Sequence, residues 1–214
     1  PLETLPFMPS MPQPRREYVF QITAKRGTLI NICPAARRGR EANQMKPALR
    51  PLGLYIHIPF CRQKCSYCDF YSLAGREDRM DDYTAALRAH LAEAAPFVSG
   101  YTVDTVYFGG GTPSCLGEKR LARLLKLIEK KYRLAREPEV TLEANPDSAG
   151  DWKVLRALRK AGFNRLSLGM QAADDGLLRE IGRIHTMGQV RAAVEAARKA
   201  GFQNLSLDLI YGLP

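Results

Sequence analysis

The stretch that decides the fold is Tyr55-Ile-His-Ile-Pro-Phe-Cys61-Arg-Gln-Lys-Cys65-Ser-Tyr-Cys68-Asp-Phe70. The residues around its start, 54–58, are mostly apolar, aromatic or β-branched and predict a strand. Three cysteines follow directly, with the spacing C-x3-C-x2-C. In a chain without a visible secretory signal, cysteines this close together favour metal ligation over disulfides. The stretch therefore predicts a strand that ends in a loop of metal ligands.

The number and spacing of the cysteines indicate which metal group they bind. Three thiolates can hold three corners of an iron–sulfur cube and leave the fourth iron without a protein ligand. Structural zinc usually takes four ligands, commonly as paired C-x2-C sets, and the sequence has no second pair. We therefore favour a [4Fe–4S] cluster at Cys61, Cys65 and Cys68 over zinc. The two remaining cysteines are expected to have no part in it: Cys115 is interpreted as a packed thiol, and Cys33 lies in an atypical N-terminal segment.

The open iron has a chemical use. S-adenosylmethionine (SAM) can chelate such an iron through its amino and carboxylate groups, and an electron from the cluster can then cleave the sulfonium to methionine and a 5′-deoxyadenosyl radical. In chemistry of this kind the cofactor carries the difficult step, and the protein binds and orients it.

Beyond the cysteines, strands alternate with helices. The patterns predict strands at 54–58, 103–108, 139–143, 165–169 and 205–210, and helices at 81–95, 117–132, 151–161, 177–182 and 188–200. This alternation is typical of βα units on a parallel sheet, either a barrel or an open doubly wound sheet. The segment Lys160-Ala-Gly-Phe-Asn-Arg-Leu-Ser-Leu-Gly169 is echoed by Lys199-Ala-Gly-Phe-Gln-Asn-Leu-Ser-Leu-Asp208, and this echo favours the barrel.

The cysteine stretch resembles the radical SAM family, in the branch of the oxygen-independent coproporphyrinogen III dehydrogenases and the HemW-like haem chaperones. The resemblance covers about residues 53–214 and continues through Gly109-Gly-Gly-Thr-Pro113 and Glu143-Ala-Asn-Pro146. It implies an α/β fold with a partial (βα) TIM-like barrel, truncated after about the fifth strand. It also implies a SAM site lined by Tyr55, Tyr67, Gly110, Gly111, Thr112, Glu143, Gln171, Arg183 and Asp208, with the glycine run meeting the amino end of SAM.

The placement of these residues supports the resemblance. Apart from Tyr55, which lies within the first strand, each lies at the carboxyl end of a predicted strand or in the segment after it, which is the functional face of a βα barrel. Taken singly, Glu143 or Asp208 is as well explained by a helix cap or an ion pair. His57 shares a strand face with Tyr55 and is interpreted equally as a buried hydrogen-bonded residue or as a neighbour of the site. His185 is interpreted as a neighbour of the site or as an exposed loop residue, and the first is favoured because the family has the same Gly-Arg-Ile-His.

One position separates the two branches of the family. The dehydrogenases usually have a fourth cysteine two residues after the third, where this chain has Phe70. The form Cys-Asp-Phe resembles the haem chaperones, so we expect binding of the cluster, SAM and haem and delivery of haem to an acceptor protein that the sequence does not name. The alternative is oxidative decarboxylation of the propionates of coproporphyrinogen III. The electron donor is likewise unnamed.

Composition limits the other classes of function. The net charge is +10, but residues 1–50 carry nine Lys or Arg against three Asp or Glu, a net charge of +6 in a quarter of the chain. The body lacks the basic stripe of a nucleic-acid binder, and no apolar run reaches the length of a membrane span. A reducing cytoplasm suits the clustered cysteines.

The two ends of the chain are unlike the middle. Residues 1–50 hold seven of the fourteen prolines and are expected to form a poorly ordered basic extension, with short strands possible at 18–22 and 28–32. Met45 is a plausible natural start, and an organelle transit peptide is the alternative. The core domain is expected over 51–214. Because the chain stops after the fifth predicted strand, a missing C-terminal part is also expected.

Overall fold

The computed structural model describes the backbone of Val19–Ile22 and residues 50–213. Within them the strands are β1 (Val19–Ile22), β2 (Arg50–Ile58), β3 (Phe60–Cys61), β4 (Leu73–Ala74), β5 (Tyr101–Gly110), β6 (Leu134–Ala144), β7 (Arg165–Gln171) and β8 (Asn204–Leu209). The helices are α1 (Met80–Ala94), α2 (Glu118–Lys131), α3 (Trp152–Lys160), α4 (Asp175–Glu180) and α5 (Met187–Ala200).

Six of the strands form one parallel sheet in the order β1-β2-β5-β6-β7-β8, and β3 and β4 form a separate two-stranded ribbon. Spatial neighbours in the large sheet follow one another along the chain, whereas a doubly wound sheet reverses its strand order at a switch point. Right-handed crossovers are the rule for parallel units of this kind, and α1, α2, α3 and α5 all contribute buried residues to one core with the sheet. The α/β class and the partial, unclosed TIM-like barrel are confirmed, and the doubly wound alternative is wrong.

The two faces of the sheet differ in chemistry because of its register. Phe108 of β5 pairs with Ile56 and Leu142, whereas Tyr107, one residue earlier, pairs with Tyr55 and Thr141. The first set is buried in the core with the helices. The residues of α2 that pack into this core recur at helical spacing: Leu121, Leu124, Leu125 and Ile128. The opposite face carries polar and aromatic residues: Tyr55, His57, Tyr107, Thr141, Glu143, Ser167, Ser206 and Asp208.

Helix ends are set by local capping. Thr186 and Gln189 form a capping box at the start of α5, and Gly201, with φ +98°, ends that helix in the left-handed conformation that glycine adopts without strain. Asp151 and Asp174 cap α3 and α4 by accepting bonds from the backbone N–H groups of Lys153 and Leu177. None of the described helices has the length and apolar character that a membrane crossing requires.

The described part of the N-terminal segment contains one of the two short strands that the sequence allows. The possible strand at 18–22 is present as Val19–Ile22, which pairs in parallel with Gly53–Ile56 of β2 and so extends the main sheet. The possible strand at 28–32 and the rest of residues 1–49 lie outside the described residues. The expected division at residue 50 and the role of Met45 therefore stay predictions.

Candidate functional site

A cavity of about 780 Å³ opens at the carboxyl ends of the strands. Its walls come from the cysteine loop, from the ends of β5 and β6, and from segments at the ends of β7 and β8. The structure brings together there all but one of the predicted site residues: Cys61, Cys65, Cys68, Tyr67, Gly110, Gly111, Thr112, Glu143, Gln171, Arg183 and Asp208.

The cysteine loop is closed at its base by the ribbon of β3 and β4. The N–H of Leu73 donates to the carbonyl of Pro59 at 2.5 Å, and the N–H of Gly75 donates to the carbonyl of Cys61 at 3.1 Å. Across the loop, the ammonium group of Lys64 donates to the carbonyl of Phe70 at 2.7 Å. The three cysteines therefore lie on a loop whose two ends are joined by backbone hydrogen bonds.

The same loop also rests on the turn that follows α4. The N–H of Ser66 donates to the carbonyl of Ile181 at 3.2 Å, and the amide of Gln63 donates to the carbonyl of Gly182 at 3.2 Å. Gly182 has φ +75°, and a Cβ there would lie 3.2 Å from the backbone nitrogen of Ser66. Glycine is required at this contact both for its conformation and for the close approach of the loop.

Hydrogen-bond donors surround the sulfurs. The Cys61, Cys65 and Cys68 thiols are free and half-buried. The Thr112 hydroxyl lies 3.6 Å from the Cys61 Sγ, and the Nη1 of Arg183 lies 3.5 Å from the Cys65 Sγ. Burial raises the pKa of Tyr67 to about 12, and its hydrogen bond to Cys65 adds to that shift. Donors of this kind stabilise negative charge on thiolate sulfur.

These residues fit an iron–sulfur cluster. Among residues 50–213, no three His, Cys, Asp or Glu side chains converge so as to hold one metal ion. Thiolates that bind a cubane each ligate a different iron and need not converge on a single point. Three free thiols on one cavity wall, with donors directed at two of them, match that requirement.

The glycine run packs more tightly than a flexible loop. A Cβ at Gly111 would lie 2.7 Å from the carbonyl oxygen of Phe60 and 3.0 Å from the Cys61 Sγ. The N–H of Gly111 donates to the carbonyl of Ile58 at 2.9 Å. Gly111 thus allows the chain to approach the cysteine loop itself, and the predicted contact of this run with SAM stays a prediction.

Glu143 is the acidic centre of the cavity. Its carboxylate accepts a bond from the Tyr107 hydroxyl at 2.6 Å and another from the N–H of Gly110 at 3.1 Å. Burial raises the pKa of Glu143 above its usual range, and the negative charge of Asp208 adds to the effect, although the two donors oppose it. A carboxylate held this way can accept hydrogen bonds from hydroxyl or ammonium groups of a ligand.

Gln171 lies at the end of β7 with an unusual backbone. Its φ of 70° makes it the one residue other than glycine with a positive φ in the described part of the chain. The pairing of β7 with β8 shifts between Gly169 and Gln171, as in a β-bulge. Such strain is common at functional sites, and the side chain lines the cavity.

Tyr55, His57, His185 and Cys115 do not line the cavity. Tyr55 instead stacks on Tyr107, with ring centroids 5.9 Å apart. His57 is buried, with its Nε2 3.0 Å from the carbonyl oxygen of Tyr71, and burial lowers its pKa. His185 is also buried, with its Nε2 3.2 Å from the carbonyl oxygen of Met170, and is not among the lining residues. Burial raises the pKa of Cys115 to about 11, in keeping with a packed thiol.

Two polar residues of the cavity wall, Tyr107 and Asn145, bond other residues of the site but were not among the predicted site residues. Tyr107 shares a sheet face with Glu143, and the alternation of β5 contains that signal. Asn145 lies two residues after Glu143 in the quoted Glu-Ala-Asn-Pro motif, and its amide bonds both Thr112 and Arg183. These partners come from distant segments, so only the assembled sheet reveals them.

Comparison with known protein families agrees with this geometry. The model of the radical SAM superfamily matches residues 55–214. The chain belongs to the radical SAM superfamily. The match begins at the strand before the cysteine loop and includes every residue that lines the cavity.

The chain is similar to proteins that carry the name heme chaperone HemW, among them those of Mycobacterium tuberculosis and Escherichia coli. The protein of Mycobacterium tuberculosis H37Rv is 43% identical over 169 residues, which are 77% of this chain and 43% of that protein. The protein of Escherichia coli K12 is 40% identical over 167 residues, which are 78% of this chain and 44% of that protein. The chain thus spans less than half the length of these relatives.

Among solved structures, the chain is similar to the coproporphyrinogen III oxidase HemN from Escherichia coli, which is described as a radical SAM enzyme. The TM-score is 0.71 with 36% sequence identity, over 77% of this chain and 38% of the oxidase. At this identity the two proteins are similar in amino-acid sequence as well as in fold.

Proposed function

We propose that this protein is a haem chaperone of the HemW type, which binds a [4Fe–4S] cluster, SAM and haem and delivers haem to an acceptor protein. The observation that carries the proposal is the convergence of the three cysteines and the strand-end polar groups on one cavity. Identities of 43% and 40% to proteins named heme chaperone HemW, against 36% to the oxidase, favour the chaperone. Phe70, at the position where the dehydrogenases usually have a cysteine, favours it further.

Each group of residues has a distinct task in this proposal. Cys61, Cys65 and Cys68 hold the cluster, and Glu143 and Asp208 accept hydrogen bonds from the amino and hydroxyl groups of SAM. Gln171, Tyr67 and the glycine run complete the wall, and Tyr55 supports it from behind through Tyr107. When bound, the cluster and SAM supply one-electron and radical chemistry, which the half-buried cavity separates from bulk water. The free thiols suit a reducing cytoplasm.

The second candidate is oxidative decarboxylation of coproporphyrinogen III, which the likeness to the oxidase structure favours. The two functions make opposite predictions for one pair of measurements. A haem chaperone should give a Soret band when haem is added, and the band should stop growing at a fixed ratio of haem to protein. The same protein should release no carbon dioxide from coproporphyrinogen. Turnover of coproporphyrinogen by the reduced, SAM-loaded protein would overturn the chaperone proposal in favour of the oxidase function.

The cofactor site has its own test. After anaerobic reconstitution, SAM should perturb the EPR spectrum of the reduced cluster. Replacing Glu143 with Ala should weaken SAM binding about ten- to a hundredfold, the effect of losing a charged acceptor worth about 1.5–3 kcal/mol. Glu139→Ala on the same strand is the matched control, because Glu139 bonds Arg165 and does not line the cavity. An unchanged wild-type spectrum at saturating SAM would remove SAM from the proposal.

A further inference from the structure

We propose that Asn145 is a positioning residue that directs hydrogen bonds from Thr112 and Arg183 onto the sulfurs of Cys61 and Cys65, and thereby raises the reduction potential of the cluster they hold. The inference rests on the proposed cluster at the cysteines. It assigns a role to Asn145, a residue of the Glu143-Ala-Asn-Pro146 motif that had no predicted role.

The geometry is a chain of four hydrogen bonds that begins and ends on cysteine sulfur. The amide nitrogen of Asn145 lies 3.1 Å from the Thr112 Oγ1, which lies 3.6 Å from the Cys61 Sγ. On the other side, the Asn145 Oδ1 lies 2.8 Å from the Nη2 of Arg183, and the Nη1 of the same guanidinium lies 3.5 Å from the Cys65 Sγ. Asn145 therefore connects the donors of two different cysteines.

The direction of every bond in this chain follows from Arg183. A guanidinium has donors and no acceptor, so the atom of Asn145 that faces it must be the carbonyl oxygen. The NH₂ group of Asn145 then faces Thr112 and donates to its hydroxyl oxygen. Because that oxygen already accepts a hydrogen bond, its own proton is free to point at the Cys61 Sγ. One arginine thus orients protons toward both sulfurs.

Neighbouring contacts hold Asn145 and Arg183 in place. The carbonyl of Asn145 accepts bonds from the Ser148 N–H and the Ser148 hydroxyl, each at 2.9 Å, which fixes the turn after β6. The Nη2 of Arg183 donates additionally to the carbonyl of Gly169 at 2.7 Å. Thr112 itself is almost fully buried, with 3% of its surface exposed. The donors are therefore pre-organised rather than recruited when a cluster binds.

The effect on the potential has a definite sign. A reduced cluster carries one more negative charge than an oxidised one, so donors to the ligating sulfurs stabilise the reduced form more. The effect is enhanced by the low dielectric of a half-buried site and by the polarisation of a connected chain of hydrogen bonds. Removing Asn145 should therefore make the cluster harder to reduce.

The test compares cluster properties in the reconstituted full chain with Asn145→Ala, Asn145→Asp and Thr112→Val. Asn164→Ala is the matched control, because the Asn164 amide also makes two hydrogen bonds, to Val140 and Pro138, and does not line the cavity. The readouts are iron and sulfide content, the EPR spectrum of the reduced cluster, and its midpoint potential in a redox titration. Thermal unfolding reports loss of structure separately.

Asn145→Ala and Thr112→Val should keep the cluster but shift its midpoint to a lower potential. At the wild-type midpoint the ratio of reduced to oxidised cluster should fall about fivefold, the equivalent of about one hydrogen bond. Asn145→Asp should lower the potential as well, because a carboxylate accepts from both Arg183 and Thr112, turns the hydroxyl proton away from Cys61 and adds negative charge. Asn164→Ala should leave the midpoint unchanged.

The possible failures are distinguishable. If the wild type holds a cluster and the three site variants keep its midpoint and spectrum, or shift it no more than Asn164→Ala does, the inference is overturned and the proposed function stands. A wild type that reconstitutes no [4Fe–4S] cluster overturns both. If Asn145→Ala loses the cluster outright, Thr112→Val decides, since it removes the hydroxyl proton at nearly constant shape: an unshifted midpoint there rejects the inference.

Discussion

Replacing Gly111 with Ala tests how tightly the glycine run is packed against the cysteine loop. The added methyl group would meet the carbonyl oxygen of Phe60 at 2.7 Å and the Cys61 Sγ at 3.0 Å. Neither neighbour moves freely, because that carbonyl accepts the N–H of Thr112 at 2.7 Å, and the N–H of Gly111 is itself bonded to Ile58. Overpacking of this kind typically costs about 1–3 kcal/mol.

The cost should appear in two measurements. For a chain of this size each kcal/mol lowers Tm by about 2–4 °C, so we expect a fall of about 2–12 °C in thermal unfolding. If Cys61 moves to relieve the overlap, the cost falls on cluster binding as well, and iron content per chain at limiting iron should decrease. Gly100→Ala is the matched control, because a Cβ at Gly100 meets nothing within 4 Å. The reasoning is refuted if Gly111→Ala matches Gly100→Ala in both Tm and iron content.

Two further predictions concern the cavity. Replacing Cys61, Cys65 or Cys68 singly with Ala should abolish the [4Fe–4S] signal after anaerobic reconstitution, whereas Cys115→Ala should retain it; equal loss in the Cys115 variant would contradict the ligand assignment. The raised pKa of Glu143 means that ionising this carboxyl destabilises the fold, so the free energy of unfolding should fall as pH rises from about 4.3 through the raised value. Glu143→Gln should flatten that part of the pH profile measured by denaturant unfolding, and an identical profile in both proteins would refute the assignment.

Hydrophobic alternation was enough to predict all five core strands and the helices between them. The residues at which these strands and helices begin and end also depend on strand pairing and capping, which the apolar pattern does not show. The third core strand was predicted at 139–143 and begins at Leu134, because charged residues and Pro138 interrupt the apolar pattern while the register shift against β5 still allows pairing. The helix predicted at 177–182 spans Asp175–Glu180, because Asp174 caps it earlier than its apolar residues indicate.

The site was predictable where it lies at strand ends and not where it depends on contacts across the sheet. Cys61, Glu143 and Asp208 follow from the rule that parallel strands present functional groups at their carboxyl ends. The packing partner of Gly111 does not, because its close neighbour Phe60 belongs to β3, at the base of the cysteine loop, and not to an adjoining strand of the main sheet. Nor could spacing alone show that Asn145 joins Thr112 to Arg183.

The cysteine loop and the Ile-Gly-Arg-Ile-His segment form one structural unit, although Cys65 and Arg183 are 118 positions apart. The sheet order places β5, β6 and β7 between these two segments, and the pairing of those strands offsets the entropy of closing so long a loop. The thiols are therefore pre-arranged by the tertiary fold and not by their short spacing alone. It follows that residues far from the cysteines in sequence, Gly182 above all, contribute to the geometry in which a cluster is held.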